Sequence, residues 1–186
     1  MTFRKLLLLS VFTVLLGVGL VYAVSYGFKA HNSSQTLRTA RGVNERFGLE
    51  LTLTLEKTEY DLGEPINVTL TITNISNHTV DFSLAPSWWD FLVYNDTSNG
   101  LYKWHTGRIF PMWIRDVPLD PGIGLINEDM VWPQTCNKTL SSDGVPNWPV
   151  SPGTYYIVGR YNYNPFGSDS NYNLETTPIQ ITIVQP

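Results

Sequence analysis

Leu49, Leu51, Leu53 and Leu55 alternate with Glu50, Thr52, Thr54 and Glu56, and Ile66, Val68, Leu70 and Ile72 alternate with Asn67, Thr69, Thr71 and Thr73. A period of two puts all the apolar side chains of such a run on one face of a strand, and no helix reproduces it. Between the runs, Lys57–Pro65 carries Gly63 and Pro65 and reads as a connection. Asn74–His78 turns the chain again, and Val80, Phe82 and Leu84 continue the alternation. The stretch 49–84 therefore predicts a meander of antiparallel strands, each with one wet face.

The next stretch is dense in aromatics. Trp89, Phe91 and Val93 share one strand face, while Trp88, Asp90, Leu92 and Tyr94 share the other. Residues 95–100, Asn-Asp-Thr-Ser-Asn-Gly, have turn chemistry, and Leu101–Trp104 returns as a second strand. Such a hairpin carries too much apolar surface to stand alone and must lie against a sheet. Asp90 is expected to face solvent or an intersheet hydrogen bond and to hold the adjacent loop.

Beyond it the signals lose regularity. Pro111–Val117 is apolar without alternation, 119–122 is a turn, and Leu125–Trp132 has strand character. Pro133–Pro149 is a long polar loop. Ser151-Pro152-Gly153-Thr154-Tyr155 opens a strand to Tyr161, with Tyr155 placed like the tyrosine corner of Greek-key sandwiches. Asn162–Thr177 reads as a polar loop and Pro178–Val184 as the closing strand. Seven to nine short strands with no helix after the first residues predict an all-β, immunoglobulin-like antiparallel β-sandwich over 49–186.

The first residues differ. Arg4 and Lys5 precede the apolar run Leu6–Tyr26, long enough to span a hydrocarbon core as one N-terminal transmembrane helix. The basic flank would stay cytoplasmic and place the rest outside, on the cell membrane. The run exceeds the apolar stretch of a signal peptide, which favours a retained anchor over residues 1–27. Cleavage after Val21-Tyr22-Ala23, giving a secreted chain, is the alternative. Residues 28–48 are polar and without period, and read as a linker.

Chemistry is sparse. With 12 Lys+Arg against 16 Asp+Glu, the chain has no basic stripe for nucleic acid. His31, His78 and His105 lack ligand-like spacing, and the acidic run Glu56, Glu59, Asp61 and Glu64 lacks a Ca²⁺-loop pattern, so no metal or other cofactor is expected. No nucleophile is paired with a base, and no catalytic residue is assigned. Trp88, Trp104, Trp113, Trp132 and Trp148 could line a sugar surface, but core and rim packing is the commoner role of such residues. Cys136 has no internal partner. Six Asn-x-Ser/Thr sequons, at Asn32, Asn67, Asn74, Asn77, Asn95 and Asn137, all follow the anchor and suit an exterior glycoprotein.

Several of these pieces, in order, resemble the BsuPI family of intracellular proteinase inhibitor domains. They are the Asn74-Ile75-Ser76 turn, the Trp89-Asp90-Phe91 strand, Gly100 before Trp104, and Gly107-Arg108-Ile109-Phe110. Pro121-Gly122 before Trp132 and Pro152-Gly153-Thr154-Tyr155 complete the series. His105 stands where the family usually has a small hydroxyl residue, and the loops 133–149 and 162–177 are longer than the family's. The resemblance implies an immunoglobulin-like fold and, in some members, inhibition of serine proteases. It places no inhibitory loop. The partner would be another protein, a protease or an envelope component, and a purely structural or adhesive role is the alternative. From composition, the expected partner-facing element is the loop carrying Tyr163, Phe166 and Tyr172, since rigid rings among Asn, Gly and Ser suit adaptable recognition.

Overall fold

The computed structural model describes residues 37–95, 100–137, 148–163 and 172–186. Fourteen strands lie among them: β1 (Arg38–Asn44), β2 (Leu49–Leu55), β3 (Glu59–Asp61), β4 (Ile66–Asn74), β5 (Val80–Leu84), β6 (Trp89–Tyr94), β7 (Gly100–Lys103), β8 (Arg115–Leu119), β9 (Gly124–Trp132), β10 (Thr135–Cys136), β11 (Trp148–Pro149), β12 (Gly153–Tyr163), β13 (Tyr172–Glu175) and β14 (Ile179–Val184). A single 3-10 turn, Pro86–Trp88, separates β5 from β6. The count exceeds the expected seven to nine because several pairings involve only two to four residues. Among the described residues no helix is long and apolar enough to cross a membrane. The expected anchor at 1–27 lies outside them.

The strands form two principal sheets. One has the order β1-β2-β4-β9, all antiparallel. The other runs β3-β14-β12-β6-β7, with β13 also on β12, and only its β3–β14 pair is parallel. β5–β8 and β10–β11 are separate two-stranded pairs.

The alternating runs do what their period requires. Leu49, Leu51, Leu53, Ile66, Val68, Leu70 and Ile72 are all fully buried, and the threonines between them remain partly open. From the other sheet, Trp89, Phe91, Val93, Ile157 and Tyr161 join the same core. The aromatic hairpin thus packs on the face expected of it. Phe91→Ala would cost about 3–5 kcal/mol, as for other aromatic truncations in cores. Trp132 of β9 spans the two sheets, its ring 6.4 Å from Tyr102 and 5.6 Å from Tyr155. Gly159 marks a close approach within the core: a Cβ there would lie 2.4 Å from Leu70 Cδ2 and 3.5 Å from Leu53 Cβ. Tyr155, placed in the sequence like a tyrosine corner, donates its hydroxyl to the Ser151 carbonyl at 2.5 Å, a bond back to the backbone a few residues upstream.

Three stretches expected to be irregular are not. Residues 38–44, read as linker, form β1, which pairs with β2 from Arg38↔Leu55 to Asn44↔Leu49. Only Ala40 of β1 is buried, so no apolar period announced it. The connection 57–65 holds β3, and the loop 162–177 holds β13, paired with β12 from Arg160↔Glu175 to Tyr163↔Tyr172.

Thr176 then interrupts the ladder between β13 and β14. Its N–H donates to the Gly159 carbonyl and its Oγ1 accepts from the Gly159 N–H, both at 3.0 Å. The bend so formed meets the outer edge of β1, where the Thr177 N–H donates to the Arg41 carbonyl at 3.1 Å. An open strand edge is a template for unwanted pairing, and this bend covers it.

Candidate contact site

The outer face of β6 is covered at Asp90, although Leu92 and Tyr94 beyond it stay half-buried, which the alternation alone does not predict. Asp90 is 3% exposed. Its Oδ1 accepts from the His105 N–H at 3.0 Å, and Lys103 Nζ lies 3.7 Å from Oδ2. Burial pushes the Asp90 carboxyl above the ordinary aspartate range, against the lowering effect of the His105 N–H and Lys103. Asp90 therefore holds the loop after β7, as expected, but from beneath a layer of chain and not from solvent.

That layer is the segment Trp104–Phe110. The Trp104 N–H continues the ladder to the Phe91 carbonyl, and two tight turns follow, Thr106 to Lys103 and Arg108 to His105. Gly107 supplies the positive φ, +75°, that the second turn requires. The Arg108 guanidinium lies 4.5 Å over the Trp104 ring, and its Nε donates to the Trp104 carbonyl at 2.9 Å. Phe110 stacks on His105 at 4.6 Å and packs against Trp104 at 5.4 Å.

From this base the chain crosses to β8 with no regular structure, and its side chains point out. Ile109 is 99% exposed, Met112 100%, Ile114 55% and Trp113 43%. Against the crossing lies a hollow of about 300 Å³, lined by Ala85, Ser87 and Trp88 and by Phe110, Pro111, Met112, Trp113 and Ile114 of the crossing itself. The far end is fixed where Arg115 enters the β5–β8 ladder opposite Leu84. Contiguous exposed apolar side chains usually mark a contact surface. The sequence signal for this site was the run 111–117, apolar yet matching neither the period of a strand nor that of a helix.

The expected partner loop fares differently. Tyr163 and Tyr172 are opposite residues of the β12–β13 pair, while Phe166 and the residues around it lie outside the described residues. The sequons also divide. Asn67 and Asn77 are exposed, Asn95 and Asn137 are half-buried, and Asn32 lies outside the described residues. Asn137 already pairs with the β7 edge, accepting from the Lys103 N–H at 2.8 Å and donating to its carbonyl at 2.7 Å. Asn74 is fully buried, its Nδ2 donating to the carbonyls of His78 and Leu119 at 2.8 and 2.7 Å. Its Oδ1 accepts from the Ser76 N–H and hydroxyl. A glycan on Asn74 is incompatible with this packing, and its amide serves as the pin of the β4–β5 turn.

Trp104 and Trp132 are buried, whereas Trp113 and Trp148 are exposed, so the tryptophans form no single platform. Cys136 is half-buried, and burial pushes its thiol pKa up, which leaves it a poor nucleophile. Within the acidic run, Glu64 binds the Asp61 N–H and Lys57 and serves the turn. Among the described residues no group of three or more His, Cys, Asp or Glu could hold a metal ion.

Comparison with known structures returns β-glucosidases. That of Listeria innocua in complex with isofagomine has TM-score 0.41 and 16% identity over 73% of this chain. That of Erythrobacter marinus has TM-score 0.38 and 13% identity over 80%. This chain spans only 16% and 15% of the length of those enzymes. No curated protein matches the sequence. The family comparison reaches further: the BsuPI model, described as intracellular proteinase inhibitor, matches residues 53–165. That is more than half of the chain, from β2 through the tyrosine corner and the exposed crossing, and the chain belongs to the BsuPI family.

Proposed function

We propose that this chain is a non-catalytic protease-binding module that inhibits or modulates its partner through the exposed segment Ile109–Ile114. The observation that carries this reading is the combination of full exposure at Ile109 and Met112 with a base fixed by Asp90, Arg108 and Phe110. A backbone span tied to an ordered base has already lost part of the conformational freedom that binding would otherwise remove. Membership of a proteinase-inhibitor family supports a protease as the partner. The bond from Tyr155 to Ser151 supports the immunoglobulin-like form of the sandwich. The run Leu6–Tyr26 after Arg4-Lys5 supports an anchor that holds the domain outside the cytoplasm.

The test is titration of the full-length chain, in mild non-ionic detergent, against a panel of serine proteases. Stoichiometric loss of activity is expected for at least one of them. Ile109→Asp with Ile114→Asp should abolish that loss while the circular dichroism spectrum is unchanged. No effect at micromolar chain would favour the structural or adhesive reading instead.

A further inference from the structure

We infer that the outward face of the β6–β12 pair carries a binding site for a neutral saccharide, centred on Tyr94, Arg160 and Glu175; it does not depend on the protease-binding reading above. A hollow of about 320 Å³ opens there, lined by Leu92, Tyr94, Gly100, Val158, Arg160 and Glu175. That is the lower end of the range of about 300–1,000 Å³ found for small-molecule sites. Four strands build it through their register. Leu92 lies opposite Val158, Tyr94 opposite both Tyr156 and Gly100, and Arg160 opposite Glu175. The residues between them, Phe91, Val93, Ile157 and Tyr161, belong to the core, so these side chains occupy the other pleat.

The lining combines three chemistries. Its floor is apolar: Val158 faces away from the core yet is only 4% exposed, and Leu92 beside it is half-buried. Its rings are Tyr94 and Tyr156, stacked at 5.5 Å with 19° between their planes. Burial and the Glu175 carboxylate push the Tyr94 phenol above its ordinary range, against the lowering effect of Arg160. It therefore stays a hydrogen-bond donor at neutral pH. The third chemistry is an ion pair, with Arg160 Nε 2.6 Å from Glu175 Oε2. That contact lies off the N–H direction and leaves the buried Nε–H without a hydrogen-bond acceptor. A guanidinium has five donors and a carboxylate two acceptor oxygens, so the pair keeps unused capacity of both kinds.

These features select a ligand class. Arg160 and Glu175 neutralise each other, and Lys103 and Asp90 on the same face pair at 3.7 Å, so no net charge draws in an anion or a cation. A wholly apolar ligand would desolvate the ion pair and return no hydrogen bond to it. A pyranose meets both requirements. Its C–H faces cover Leu92, Val158 and a tyrosine ring, while its hydroxyls accept from Arg160 and donate to Glu175.

The experiment titrates the full-length chain by calorimetry, in a polyoxyethylene detergent whose head group is not a sugar. The neutral probes are cellotriose, maltotriose, mannotriose and triacetylchitotriose, and the anionic ones are sialyllactose and inorganic phosphate. At least one neutral trisaccharide should bind with a Kd of about 1 mM or tighter. Arg160→Gln should weaken that binding by about 10-fold or more, the scale of one lost bond from a charged donor. Gly100→Tyr tests the place without straining the fold. A Cβ at Gly100 meets no atom within 4 Å, and the added ring would fill the mouth of the hollow. Binding should be abolished in Gly100→Tyr at an unchanged denaturation midpoint. Wild-type affinity in that variant would put the sugar elsewhere and overturn the site. Tighter binding of phosphate or sialyllactose would overturn the ligand class, and no binding of any neutral trisaccharide would overturn the inference as a whole.

Discussion

β1 and the crossing Ile109–Ile114 invert the usual relation between composition and position. β1 reads Arg-Thr-Ala-Arg-Gly-Val-Asn, with one buried side chain, yet it is built into the fold along its whole length. The crossing reads Ile-Phe-Pro-Met-Trp-Ile and stands largely in water. Backbone hydrogen bonds explain the first case. β1 pairs with β2 on one side and receives the Thr177 N–H on the other, which requires no apolar side chain. For the second, no folding rule exposes Met112 and Ile109 completely when a hollow of side-chain size lies directly against the segment. Burial is decided by which groups meet a partner, and under the proposed function the crossing's partner is a second protein.

Within β1 and the crossing with its base, the largest expected effect is at Gly42. A Cβ there would stand 1.8 Å from the Glu175 carbonyl oxygen and 2.5 Å from its carbon, both of them backbone atoms that cannot rotate away. Gly42→Ala should therefore part β1 from the β13–β14 bend. Overpacking of this kind costs about 3 kcal/mol. Chemical denaturation measures it, and faster amide exchange at Thr177 should accompany it. A wild-type midpoint in Gly42→Ala would mean that β1 is an accessory strand and that the contrast with the crossing is weaker than drawn.

Much of the sandwich was legible because β2, β4 and β6 carry side chains of alternating polarity, and period two is a property of the sequence itself. β1 and β13 were not, since a strand held by its main chain leaves no mark on side-chain pattern. The crossing was only half legible: 111–117 stood out as apolar without a period, but composition does not say whether such a run is buried or exposed. Asp90 falls between these cases. Its position between Trp89 and Phe91 suggested a loop-holding role, but the cover over it comes from Trp104–Phe110, which sequence spacing cannot bring there. Asn74 was read as a sequon, yet its amide bonds to Leu119, forty-five residues away, and fixes its role as structural.

An intermediate effect is expected at Asp90, the support of the crossing's base. Asp90→Ala leaves the His105 N–H without its acceptor and should cost about 1–3 kcal/mol. Asp90→Asn keeps an oxygen acceptor and removes the charge. Because the folded-state pKa is raised, the native state holds this proton more tightly than the unfolded chain does. The associated stability is fully present below the ordinary aspartate pKa and is lost as pH rises through the folded value. Subtracting the Asp90→Asn stability curve from that of wild type should give a difference that falls with rising pH in that window. A difference that rises with pH would mean that Lys103 and the His105 N–H outweigh burial.

The smallest expected effect is the most telling about the crossing. Ile109→Ser together with Met112→Ser removes two large apolar side chains that are 99% and 100% exposed. Ile109 is in water and Met112 only lines the hollow without being buried in it, so the change in unfolding free energy should stay within about 0.5 kcal/mol. The same double change in β2 or β4 would unfold the domain, since each buried Leu or Ile there contributes about 2–5 kcal/mol against truncation. Near-equal denaturation midpoints for the Ser variant and wild type would show that these side chains are maintained for something other than the fold. A drop of several kcal/mol would show instead that in solution the crossing folds down into the hollow beside Trp88. In that case the segment would be a core element like β6, and its claim to a partner would end.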